Sequence, residues 1–160
     1  MIWRLIKTAI FTLVAPGTVA LYLPAKLRER SADHAIHSFY LYPWLALFLC
    51  GAAIYLWCAW DFAVKGLGTP APIDAPRVLV VQGLYRFTRN PMYLGVATMI
   101  RAQAGYYRSR SVPVYLLFVV LAFHTFVRLY EEPTLRGLFG EQYETYCQTV
   151  PRWLVRLPHQ

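Results

Sequence analysis

The sequence predicts an all-α integral membrane protein of about four transmembrane helices, with a C-terminal helical hairpin followed by an amphipathic tail helix. Three observations predict it. Of 160 residues, 58% are hydrophobic and the mean hydropathy is +0.37, above the roughly 45–50% apolar content of soluble domains. The apolar residues gather into four segments. Short polar or Pro/Gly-rich stretches separate them, which suits helices crossing a bilayer and returning. The length allows one domain, residues 1–160, with two spans in 1–65 and a second half in 66–160.

The first segment, residues 5–23, begins behind Arg4 and Lys7 as a signal peptide does. It is long, however, and no Ala-x-Ala precedes the basic stretch 26–30. An uncleaved span is expected, kinked at Pro16-Gly17. The second, residues 41–64, carries Trp44, Tyr55, Trp57 and Trp60 and ends near Asp61 and Lys65, an aromatic belt pattern. The third, residues 92–107, has only 16 residues and includes Arg101 and Gln103, short against the about 20 that a span needs. The fourth, residues 112–130, contains His124 and Arg128. The short link Arg108-Ser109-Arg110 makes the third and fourth an antiparallel hairpin.

Four spans place both termini on one side. That side has nine Lys and Arg against five on the other, so the positive-inside tendency puts both termini and the polar blocks described below in the cytoplasm. The net charge of +8 is membrane-flanking charge scattered among apolar segments, and no nucleic-acid partner is expected. Cys50, Cys58 and Cys147 show no CxxC or Cys/His spacing, and His34, His37, His124 and His159 form no HExxH motif, so no metal is expected. Gly66-Leu67-Gly68 lacks the third glycine and the strand–turn–helix context of a nucleotide fingerprint.

The loop 66–82, rich in Gly and Pro, is expected to fold back over the membrane surface, with 77–81 extended along a cavity. After it come two polar blocks. One is the aromatic, doubly cationic turn from Gly83 through Arg86, Arg89 and Asn90 to Gly95. The other is Glu131-Glu132-Pro133, which closes the next apolar segment. Charge at a membrane boundary is costly unless paired, solvated or used, so two such blocks at one end of a hairpin point to a polar ligand held there. In the tail, Leu135, Leu138, Phe139, Tyr143 and Tyr146 recur at three- and four-residue steps, a helical stripe.

These residues carry a resemblance. The series Leu79-Val80, Gly83-Leu84-Tyr85-Arg86, Arg89-Asn90-Pro91, Tyr93 and Gly95, then Glu131-Glu132 and Leu135, then Phe139-Gly140-Glu141, Tyr143, Tyr146 and Val150-Pro151 resembles the isoprenylcysteine carboxyl methyltransferase family and the related phospholipid methyltransferases, in their bacterial form. The likeness spans roughly residues 66–157. It implies a multi-pass enzyme of the bacterial inner membrane that uses S-adenosylmethionine bound in the C-terminal half. It implies methyl transfer to a lipophilic small molecule or lipid, through a carboxylate or an amine. By motif position, Arg77, Val78, Leu79, Val80, Tyr85, Asn90, Pro91, Met92 and Tyr93 line the cofactor, and Glu131 meets its amino-acid end.

The chain departs from the pattern in three places. Asn90 stands where isoprenylcysteine methyltransferases usually carry His. Val127 stands where they carry an arginine, with Arg128 beside it, and Ala102-Gln103 stands where bacterial relatives often have Gly-Glu. Arg128, Arg101 and Gln103 are therefore the candidates for catalytic and acceptor-side roles. Two other readings stay open: a reductase-like relative that binds NADPH, and a non-catalytic lipid-binding membrane protein.

Overall fold

The computed structural model describes residues 2–28, 38–64 and 78–154, and these are helical with short irregular connections. The expected fold-back loop at 66–77, with Arg77, lies outside them. The chain forms α1 (Ile2–Gly17), α2 (Leu23–Leu27), α3 (Tyr42–Val64), α4 (Pro91–Tyr107), α5 (Ser111–Phe126), α6 (Glu132–Phe139) and α7 (Glu141–Thr149). Among the described residues, three helical stretches are long and apolar enough to cross a membrane: Ile6–Leu27, Tyr42–Val64 and Ser111–Phe139. Large apolar side chains such as Leu13, Phe118 and Leu117 face outward from them, as lipid-facing residues do.

The third segment behaves differently. Helix α4 has 17 residues, about 26 Å, short of the roughly 30 Å hydrocarbon core. It is nevertheless the centre of the packing. Val96, Met99, Ile100 and Ala104 of α4 join Ala20, Tyr55, Ala59, Val112 and Val119 in one buried cluster. Its closest neighbour is α3: a Cβ on Gly51 would lie 2.7 Å from the Gly95 carbonyl, and one on Gly95 would lie 2.8 Å from the Gly51 carbonyl. Two glycines thus let the backbones approach as small residues do in membrane bundles.

Two π-helical turns interrupt the spans, Thr18–Tyr22 and Val127–Glu131. Each is followed by a proline within two residues, Pro24 and Pro133. Proline lacks an N–H and its ring crowds the carbonyl four residues back; a wider turn accommodates that. The carbonyl four residues before Pro24 belongs to Ala20. Gln103 Nε2 donates to it and also, at 3.3 Å, to Met99 O, while Tyr115 Oη donates to Val19 O at 2.9 Å. Neighbouring helices thus re-satisfy a backbone that proline has opened.

The hairpin forms as expected, its link turning on Arg108 at φ +50°. The tail is not one helix. Gly140 adopts φ +52° and divides it into α6 and α7, which leaves Leu138 exposed instead of on a common stripe.

Candidate functional site

The site forms where the C-terminal ends of α3 and α5 meet the start of α4. The irregular strand of chain at 78–82, α6 and α7 close over it. Pro91 opens α4, a position where its missing N–H costs nothing. Gly83 starts the turn Gly83–Arg86 at φ +60°, and a Cβ there would come within 2.5 Å of Asp61 Oδ2 and 3.3 Å of Trp57 Nε1. A side chain there would be strained by the positive φ and would have to displace the Asp61 carboxylate. The turn sends Tyr85 inward against Phe62, with ring centroids 5.5 Å apart, and Cys58 and Val80 complete that cluster.

Two adjacent carboxylates have separate tasks. Glu131 lines the pocket and accepts from Tyr93 Oη at 2.8 Å through Oε2; Oε1 takes no hydrogen bond among the described residues. The Tyr93 ring is fixed by Phe123, at 4.7 Å between centroids, and by Trp153, at 6.4 Å. Glu132, by contrast, is buried in an ion-pair hub. Arg152 forks onto it at 2.6 and 2.9 Å, Arg89 Nη1 approaches at 3.1 Å, and Arg136 stands at 3.6 Å. The forked pair is the strongest geometry available to these groups. It ties the tail to the end of the hairpin.

Further bonds reinforce that tie. Thr88 Oγ1 and Asn90 Nδ2 both donate to the Arg152 carbonyl, at 3.1 and 3.0 Å. The Arg89 amide donates to Pro151 O at 2.9 Å, Tyr146 Oη to Tyr85 O at 2.7 Å, and Trp153 Nε1 to His124 Nδ1 at 3.1 Å. Burial pushes the Tyr85, Tyr143 and Tyr146 phenols upward, so they remain protonated donors through the neutral range.

The resulting pocket is lined by Leu79, Val80, Tyr85, Asn90 and Glu131, all expected, and by Phe62, Arg89, Val127, Glu132, Leu135, Tyr143 and Tyr146. Met92 packs behind Val80 and Tyr85, Pro91 is buried at the helix start, and Val78 is exposed. Arg77 lies outside the described residues. Arg89 brings a guanidinium whose Nε is buried with no hydrogen-bond partner among the described residues. Its Nη1 meets Cys147 Sγ at 2.7 Å in addition to Glu132. The free space at the centre is about 30 Å³, a single water's share, so a larger ligand must part the lining.

The three residues expected on the catalytic side lie elsewhere. Val127 points inward and is buried, while Arg128 is exposed; one residue along the helix rotates the side chain by about 100°. Gln103 is occupied by the Ala20 and Met99 carbonyls. Arg101 is exposed and its guanidinium lies 5.3 Å over the Trp44 ring. Neither Arg101 nor Gln103 lines the pocket that holds Glu131 and Glu132. In an antiparallel hairpin turning near Ser109, residue 101 stands opposite residue 117, and Glu131 lies about 21 Å further along. Glu132 and Arg89 are the pocket residues that motif reading underweighted. Their signal was present in the cationic turn and the doubled glutamate.

A family model described as phospholipid methyltransferase matches residues 43–142, more than half of the chain and most of the pocket. No curated protein and no solved structure matches the chain.

Proposed function

The chain belongs to the phospholipid methyltransferase family, and from that membership and the pocket chemistry we propose that it transfers the methyl group of S-adenosylmethionine to a lipophilic acceptor drawn from the bilayer. The family and the apolar helices make it a membrane methyltransferase. The observation that carries the cofactor assignment is the pairing in one pocket of a Glu131 carboxylate with one oxygen free among the described residues and a buried guanidine N–H, Arg89 Nε, with no partner among them.

That donor set fits an amino-acid zwitterion. Glu131 would accept from the α-ammonium and Arg89 would donate to the α-carboxylate, both charge-assisted bonds. Tyr85, Phe62, Leu79 and Val80 supply aromatic and aliphatic walls for an adenine ring. Binding requires the 78–82 segment and the α6–α7 arm to part, since the resting space is small.

The bound cofactor supplies a methyl group already activated by its sulfonium. The protein's share is orientation and exclusion of water. Tyr93 fixes the carboxylate of Glu131, and Phe123 and Trp153 fix Tyr93. A carboxylate acceptor is nucleophilic as it stands, whereas an amine must first lose its proton to the interface. We place the acceptor's entry between α4 and α5, beside Tyr93, and the cofactor's entry on the cytoplasmic side. Titration calorimetry in detergent tests the assignment. S-adenosylmethionine should bind and NADPH should not, and Glu131→Ala should weaken binding by about 1.5–3 kcal/mol. Unchanged affinity in the variant removes Glu131 from the site, and a preference for NADPH overturns the reading.

A further inference from the structure

The end of the bundle away from Glu131 has a second constellation that the methyltransferase chemistry does not use. Arg101 starts six residues before the end of α4, about 9 Å inside it, a depth at which an uncompensated guanidinium is costly. Its guanidinium sits over Trp44, near the start of α3. Trp44 lies flat on Gly105, where any Cβ would overlap the ring. Gly105 is one turn closer to the helix end than Arg101, so the arginine has risen toward the boundary along a tryptophan seated for it.

Arg101 is not alone there. Arg108, the left-handed residue that ends α4, lines with it a groove of about 390 Å³ together with Tyr40, Trp44, Gly105 and Pro113. On the other side of Trp44 lies a second groove of about 340 Å³, lined mainly by apolar side chains such as Leu21, Leu45 and Phe48. Arg28 stands over Tyr107 at 5.9 Å and Lys26 over Tyr22 at 5.6 Å at this same end. The described carboxylates, Asp61, Glu131, Glu132, Glu141 and Glu144, belong to the opposite end or to the tail beyond it. Glu29 and Asp33 lie outside the described residues.

A cationic groove and an apolar groove sharing one tryptophan wall suit an amphiphile with an anionic head. We propose that this is a binding site for an anionic phospholipid of the leaflet away from Glu131, its phosphate held by Arg101 and Arg108 and an acyl chain laid in the apolar groove. Charge complementarity selects this occupant, and the membrane-spanning helices on either side supply it directly from the bilayer. The site is independent of the methyl-transfer pocket.

Native mass spectrometry of the detergent-solubilised protein, with phosphatidylglycerol or phosphatidylcholine added, reads the site. The wild type should retain phosphatidylglycerol in preference. Arg101→Gln or Arg108→Gln should each weaken that retention about five-fold, and the double variant about thirty-fold. Arg101→Lys should recover most of it, and phosphatidylcholine should be indifferent to all four variants. S-adenosylmethionine affinity should be unchanged in every variant, so a failure here is distinguishable from a failure at Glu131. Equal retention of the two lipids, or displacement of phosphatidylglycerol by millimolar inorganic phosphate, overturns the proposal. If Glu29 or Asp33 is the true partner of Arg101, then Arg101→Gln lowers thermal stability without lipid and leaves retention as it was, which also overturns it.

Discussion

Replacing Glu132 with alanine isolates the element that fastens the tail to the hairpin. The Glu132 side chain is 3% exposed, against 11% for Arg89, 28% for Arg152 and 43% for Arg136. The Arg136 contact is long and wet and is worth at most about 0.5 kcal/mol. The other two matter more. Without the carboxylate, Arg89 is left as a nearly buried guanidinium with, among the described residues, only Cys147 Sγ to meet it, and Arg152 loses both of its forked bonds. Removing one partner of a buried pair costs about 3–5 kcal/mol, and the partial exposure of Arg152 places this case near 3. For a chain of this length that is a fall of roughly 6–12 °C in the thermal midpoint, measured by fluorescence of the detergent-solubilised protein. Cofactor affinity should fall with it, because Arg89 loses the group that aims it. Arg136→Ala should change the midpoint little. A Glu132→Ala protein as stable as the wild type, or an Arg136→Ala protein equally damaged, would refute the hub.

Two further outcomes are expected. Gly83→Ala combines a positive φ, worth about 1–2 kcal/mol, with a Cβ 2.5 Å from Asp61 Oδ2; it should lower both thermal stability and cofactor affinity by displacing Tyr85, and retention of both at wild-type level would show that the turn relaxes freely. A cysteine placed at Gln160 in a background without Cys50, Cys58 and Cys147 should resist an impermeant thiol reagent in intact cells, as the nine-to-five charge bias requires; ready labelling would reverse the proposed orientation.

The parts of this protein that were legible in its sequence are those where chemistry contradicts surroundings. Polar residues such as Tyr85, Asn90 and Glu131 stand out in an apolar chain, and their order and spacing led to the pocket that the structure assembles. What was not legible depends on helix phase and on partners distant in sequence. Glu131 and Glu132 look alike as letters and both line the pocket, but at the π-helical turn before Pro133 one accepts from Tyr93 and the other from Arg152, twenty residues away. Gln103 read as chemistry because it is polar; its use became visible only once Pro24 was seen to open the Ala20 carbonyl in another helix. Gly140 hides a helix break inside a regular stripe, because a three- and four-residue pattern does not record a positive φ. The displacement of Arg101 from Glu131 was within reach of the sequence, since counting residues outward from the Arg108-Ser109-Arg110 turn already separates them by several helical turns.

Transfer itself is the most direct test of the central claim. Purified protein incubated with S-adenosylmethionine carrying a radiolabelled methyl group, together with a membrane lipid extract, should yield label that partitions into organic solvent. The label should be lost in Glu131→Ala and kept in Arg101→Gln. Cofactor binding without any label reaching the lipid fraction, or undiminished labelling by Glu131→Ala, would contradict the account.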